Sequence, residues 1–150
     1  MSRIRVVLAL CLLGLVSVLP SAGFAISTDV VISQVYGGGG NTGAQFKNDY
    51  VELFNRGSTA VDLTGWSVQY ASATGNTWTV ANLTGTIAPG RYYLVVQGAG
   101  AGAGADLPAA DAVGTAMMSA NNGKVALVTS TSALTCGASA DCLPNANIRD

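Results

Sequence analysis

Three carboxylates, Asp49, Glu52 and Asp62, lie close together in the sequence and are the residues best suited to chemistry. Two chemistries suit such a group: a carboxylate pair doing acid–base work, or a calcium site. Calcium takes six to eight oxygens from carboxylates, carbonyls and water, and no Asp-x-Asp-x-Asp-Gly loop accompanies these residues. The alternative is architectural, with Asp49 and Asp62 capping turns and Glu52 standing on an outer strand face, and the pattern favours it. Histidine is absent. That removes the commonest general base and metal ligand at neutral pH, and with them a Ser-His-Asp triad or a Cys-His pair. Gly37 to Gly40 resembles a phosphate-cradling loop only superficially, because no Gly-Lys-Ser/Thr follows it and no helix starts there; it reads as a turn needing positive φ. No catalytic residue and no cofactor is expected.

The elements that must position these residues are strands. From Asp49, Val51 and Leu53 point one way along an extended chain while Tyr50, Glu52 and Phe54 point the other. An Arg-Gly-Ser-Thr loop follows, then Val61, Leu63, a glycine and Trp66. Strand signals recur over Val30–Tyr36, Lys47–Asn55, Trp66–Ala71, Thr77–Ala81, Thr84–Ile87, Arg91–Gln97 and Gly123–Thr129, with turn residues between them. No window after the N-terminal segment sustains helical periodicity. Many short strands and no helix predict an all-β sandwich or barrel. Its core is expected to contain Val51, Leu53, Leu63, Leu94 and Leu127, with Trp66 as the plug after its Leu-x-Gly turn. Trp78, flanked by Thr77 and Thr79, is the better candidate for an exposed aromatic face together with Tyr70 and Tyr92 or Tyr93. Gly98 to Ala105 alternates glycine and alanine and reads as a flexible rim loop.

The N-terminus is an address. Arg3 and Arg5 precede an apolar and small-residue run from Val6 to Leu19, Pro20 breaks it, and small residues at Gly23 and Ala25 suit cleavage after Ala25. This is the pattern of a secretory signal peptide, shorter than the roughly twenty apolar residues of a membrane span, so no membrane anchor is expected after cleavage. The chain then divides into a signal peptide, 1–25, and one domain, 26–150, long enough to bury roughly two-thirds of its unfolded surface. From Ile26 onward there are five basic and eight acidic residues. A weakly acidic domain lacks the basic patch that binds nucleic-acid phosphates. Cys136 and Cys142 remain as an even pair, which in an exported chain reads as a disulfide; with five residues between them and no histidine, a redox or zinc motif fits poorly.

Val31 to Tyr36, Asp49-Tyr50-Val51-Glu52-Leu53 with Asn55, Val61-Asp62-Leu63 with Gly65-Trp66, Ile87-Ala88-Pro89-Gly90 with Tyr92 and Leu94, and Ser119, Asn121, Gly123 and Val125-Ala126-Leu127 together resemble the lamin tail domain. The likeness is to the form found in exported bacterial proteins. It implies an immunoglobulin-like β-sandwich that attaches or positions and does not catalyse, its partner an unknown protein or surface ligand. In bacteria such domains often open secreted multidomain proteins, including nucleases and phosphoesterases, so the alternative is the N-terminal portion of such an enzyme, with its catalytic domain beyond residue 150. The family usually closes with an Asp and a further strand ending in Tyr-Gly. Asn147-Ile148-Arg149-Asp150 matches the start of that strand, so the domain is expected to lack its last strand.

Overall fold

A computed structural model describes residues 27–150; the expected signal peptide, 1–25, and the expected cleavage after Ala25 lie outside the described residues. The described chain is all β. Its strands are β1 (Val30–Tyr36), β2 (Asn48–Asn55), β3 (Val61–Asp62), β4 (Ser67–Ala71), β5 (Thr79–Asn82), β6 (Thr86–Ile87), β7 (Tyr92–Ala99), β8 (Ala112–Val113) and β9 (Lys124–Val128). They form a four-stranded sheet in the order β1-β2-β7-β8, a three-stranded sheet β5-β4-β9, and a two-stranded ladder β3-β6. All pairings are antiparallel except that of β7 with β8. β3 and β8 were not anticipated, since a two-residue ladder is too short to show alternation.

One core lies between the two larger sheets. Val51 and Leu53 of β2 and Tyr93 and Val95 of β7 meet Val68 of β4, Ala81 of β5 and Leu127 of β9, with Leu63, Leu83 and Ile87 filling the sides. Two sheets sharing one inner layer of alternating side chains is consistent with an immunoglobulin-like sandwich. Of the expected core residues, Val51, Leu53, Leu63 and Leu127 are fully buried. Leu94 is not among them. It occupies the opposite face of β7, half-buried, while its neighbours Tyr93 and Val95 point inward. A run of five apolar β-formers, Tyr92 to Val96, offers no polar alternation from which to choose the phase, and the pairing of Leu94 opposite Glu52 of β2 decides it. Trp66 is half-buried against the flank of the core, its ring 5.9 Å from the Arg149 guanidinium, so it is a flanking residue and not the plug.

The three-stranded sheet is covered on its second face too. Ala71, Ala126 and Val128 pack with Trp78 and Leu134, and with the disulfide and Ile148, so residues 130–148 form a blanket over it. β4 is therefore buried on both faces. Its Gln69 is completely enclosed and fully used: Nε2 donates to Ser67 Oγ and to the Ser132 carbonyl, each at 2.9 Å, and Oε1 accepts from the Leu134 amide at 2.9 Å. Such satisfaction is what makes a buried amide tolerable. Asn147 to Asp150 run along the free edge of β9, with an antiparallel bridge between Val128 and Ile148 and an Arg149 amide donating to the Leu127 carbonyl at 2.7 Å.

The Gly98–Ala105 segment departs from the expected flexible loop. β7 extends through Ala99, and the remainder bridges back to the 40–46 loop through Gly40–Ala103 and Phe46–Ala105 pairs. Backbone pairing supplies what its small side chains cannot.

The inner and outer faces of the large sheet predict different mutational costs. Leu53→Ala on β2, in the sealed core, is expected to destabilise by about 2–5 kcal/mol, whereas Leu94→Ala on the outer face of β7 should cost clearly less because its side chain is already partly solvated. Urea unfolding of both variants, at unchanged m-value, measures the difference.

Candidate functional site

The three candidate carboxylates come apart in space. Asp49 faces inward on β2 and is 2% exposed. Its Oδ1 accepts the Gly39 amide at 2.6 Å and its Oδ2 the Met118 amide at 2.5 Å. One buried carboxylate thus ties two separate loops to the end of the large sheet. Gly39 has to be glycine there, since a Cβ would stand 2.2 Å from the Asn48 carbonyl carbon, and Gly40 takes the positive φ (72°) that turns the chain away. Glu52, three residues along and on the opposite face, is half-buried, and its Oε1 accepts the Ser33 hydroxyl at 2.8 Å. Asp62 is exposed and accepts the Thr64 amide at 2.9 Å; the Thr64 side chain first, and then this amide, hold its carboxyl below the ordinary carboxylate range. Among the described residues no three His, Cys, Asp or Glu side chains gather where a metal could sit. The calcium reading of Asp49, Glu52 and Asp62 is therefore set aside, because strand alternation sends the first two to opposite faces and a turn occupies the third.

The aromatic face also lies elsewhere than expected. Trp78 is 7% exposed, and its indole N–H donates to the Cys136 carbonyl at 2.9 Å. Tyr93 is buried, and Tyr70 accepts the Ser119 amide through its hydroxyl at 2.9 Å. Lys124 completes this corner. Its ammonium donates to the carbonyls of Ala73, Gly75 and Gly137 at 3.0, 2.6 and 2.7 Å and lies 5.9 Å from the centre of the Trp78 ring. The disulfide Cys136–Cys142 closes the loop that carries two of the acceptors at this corner, the Cys136 and Gly137 carbonyls. No local motif marks Lys124 or Gln69 as anchors; apart from Ser67, two residues from Gln69, their partners are 13 to 65 residues away.

Aromatic rings also gather on the outer face of the four-stranded sheet, where Tyr36 and Phe46 are partly exposed and Tyr50 is buried against them. Tyr36 and Tyr50 stack with centroids 5.3 Å apart, and Phe46 meets both edge-on. At the other end Phe54 packs on Tyr92, which is 61% exposed. Between them lies a groove of about 320 Å³ lined by Phe46, Tyr50, Glu52, Leu94, Leu107 and Pro108, with Gln34 and Ala109 at its margins. Burial first, and then the nearby Glu52 carboxylate, push the Tyr50 phenol above its ordinary value, so it stays a neutral hydroxyl.

An ionic contact joins the two ends of the described residues. Arg149 donates to both oxygens of Asp29, which also accepts the Ser27 hydroxyl at 2.6 Å and the Val30 amide at 2.7 Å. Burial works to raise the Asp29 pKa, but the Arg149 and Ser27 hydrogen bonds, the Val30 amide and the guanidinium charge together bring it down to about 2.

Fold and site define an all-β domain whose inward polar side chains hold loops and whose large sheet carries a groove with aromatic lining on its outer face. Residues 25–138 match the family described as Lamin Tail Domain, and the chain belongs to that family. No curated protein and no solved structure matches it.

Two outcomes follow from these contacts. Asp49→Asn turns one acceptor oxygen into a donor facing a buried amide; with hydrogen bonds to charged groups worth about 1.5–3 kcal/mol each, the variant should lose at least that much stability in urea titration. For Asp29 the folded pKa, about 2, lies below the ordinary 3.8. Its contribution is therefore complete above pH ~4 and is lost as pH falls through about 2. Arg149→Ala should accordingly melt below the wild type at neutral pH, and the gap should close on acidification across that window.

Proposed function

We propose that this chain is a non-catalytic attachment module of an exported protein, an immunoglobulin-like lamin tail domain of the kind carried by bacterial secreted proteins. The carrying observation is the match to the Lamin Tail Domain family over residues 25–138, a family of immunoglobulin-like modules. The placement of the acidic side chains supports the same reading: Asp49 and Asp29 hold loops and chain ends together, and Asp62 caps a turn. The disulfide is compatible with a compartment outside the cytoplasm. Among the described residues no helix is long and apolar enough to cross a membrane. Recognition is then a matter of surface, and its partner is a protein or a surface ligand that reads the outer face of the large sheet.

The test has two readouts on the same preparation. Expressed with its leader in a secreting host, the chain should be recovered outside the cytoplasm with Ile26 as its first residue by N-terminal sequencing. The purified protein should hydrolyse neither nucleic acid nor phosphate esters above a blank. Hydrolysis that follows the protein through purification and disappears in Asp49→Ala or Glu52→Ala would overturn the proposal.

A further inference from the structure

The groove on the outer face has one chemical oddity. Its lining is mostly apolar or aromatic, and among it stands a carboxylate, Glu52, with Gln34 opposite it on β1 and Leu94 opposite it on β7. No base lines the groove. Lys47, just before β2, is engaged elsewhere, 2.8 Å from Asp106. Glu52 receives one hydroxyl, from Ser33, and no cation among the described residues. A half-buried carboxylate against apolar walls is a charge short of its complement.

The wall opposite is held in place. Residues 107–109 form a strap pinned at one end by the Lys47–Asp106 pair and by the Lys47 amide donating to the Ala105 carbonyl at 2.9 Å. At the other end Asp111 clamps the strap to β7. Its carboxylate accepts the Leu94 amide at 2.7 Å, and its amide donates to the Leu94 carbonyl at 3.0 Å. A groove built this way needs little ordering on binding.

Resting on the reading of the chain as an interaction module, we propose that this groove receives a lysine or arginine side chain of a partner polypeptide. The aliphatic stem lies along Leu94, Leu107 and Pro108, and the cationic head meets the Glu52 carboxylate beside the rings of Tyr50 and Phe46. An apolar stem ending in a charge is the shape of these two side chains, and a cation close to aromatic faces gains from their quadrupoles. A sugar would also use aromatic rings, but it carries many hydroxyls, and the groove offers only Glu52 and Gln34 as side-chain polar partners along its lining besides the Tyr50 hydroxyl.

Amide NMR of the 15N-labelled protein tests this with three probes: N-acetyl-lysine methylamide, its norleucine counterpart without the charge, and cellobiose. The lysine probe should shift the amides of Tyr50, Glu52, Leu94 and Leu107 with affinity in the millimolar range. The norleucine probe should bind about tenfold more weakly, the loss of one charge-assisted contact. Glu52→Gln should reduce the lysine probe to the norleucine level, and Leu107→Ala should weaken both probes alike. No shifts with the lysine probe, shifts mapping elsewhere, equal binding of both side-chain probes, or preference for cellobiose would each overturn the proposal. None of these results touches the non-catalytic reading, which the hydrolysis assay decides separately.

Discussion

A carboxylate buried at the end of a sheet has to be met by donors, and the way Asp49 is met organises one end of this domain. It accepts amides from Gly39 and Met118, residues 10 and 69 positions away. Because leaving either oxygen unpaired in a poorly solvated place costs heavily, the 37–40 turn and the 116–119 segment are both drawn onto β2. The glycines at this turn answer to close backbone packing: a Cβ on Gly39 would meet the Asn48 carbonyl, one on Gly37 the Ser119 carbonyl, and one on Gly40 the backbone of Gly100. The Gly-Ala segment then pairs with the loop that Asp49 has positioned.

The same logic recurs at three other places. Asn55, fully buried, donates to the Thr59 and Ile87 carbonyls and accepts the Gly57 amide, shaping the loop before β3. Gln69 holds the 130–134 segment, and Lys124 holds two loops through three carbonyls. Among the described residues no buried side-chain nitrogen or oxygen lacks a partner. Each of these residues trades hydration for long-range hydrogen bonds, which is how a domain with short strands gives its loops a single conformation. With the inward polar groups engaged in this way, the outer face of the large sheet is where an unmatched charge, Glu52, remains.

Much of this was legible from the residues. Alternation in Asp49–Phe54 identified which side of β2 faces the core, because Glu52 marks the outer face between the inward Val51 and Leu53. It failed over Tyr92–Val96, where both faces are apolar, and Leu94 was accordingly misplaced. Trp78 misled for a related reason: its threonine neighbours made it look solvated, while the covering comes from the 130–148 blanket, which no local pattern announces. The three carboxylates illustrate the limit most directly. Proximity in sequence suggested a shared site, yet a two-residue period places Asp49 and Glu52 on opposite faces.

By itself, the sequence determined the all-β class, the positions of the longer strands and the pairing of Cys136 with Cys142 as an expectation, since these depend on local periodicity, turn chemistry and composition. It also carried the family likeness, spread over motifs that each mark a turn or a buried position. Only the tertiary structure decided which carboxylates meet which amides, that Trp78 is roofed over and Tyr92 is not, and that Phe46, Tyr50, Glu52, Leu94 and Leu107 line one groove. Those five residues come from three separate stretches of chain. Their meeting depends on strand register and on a strap anchored by Lys47 and Asp111, and register is a property of pairing that no single strand contains.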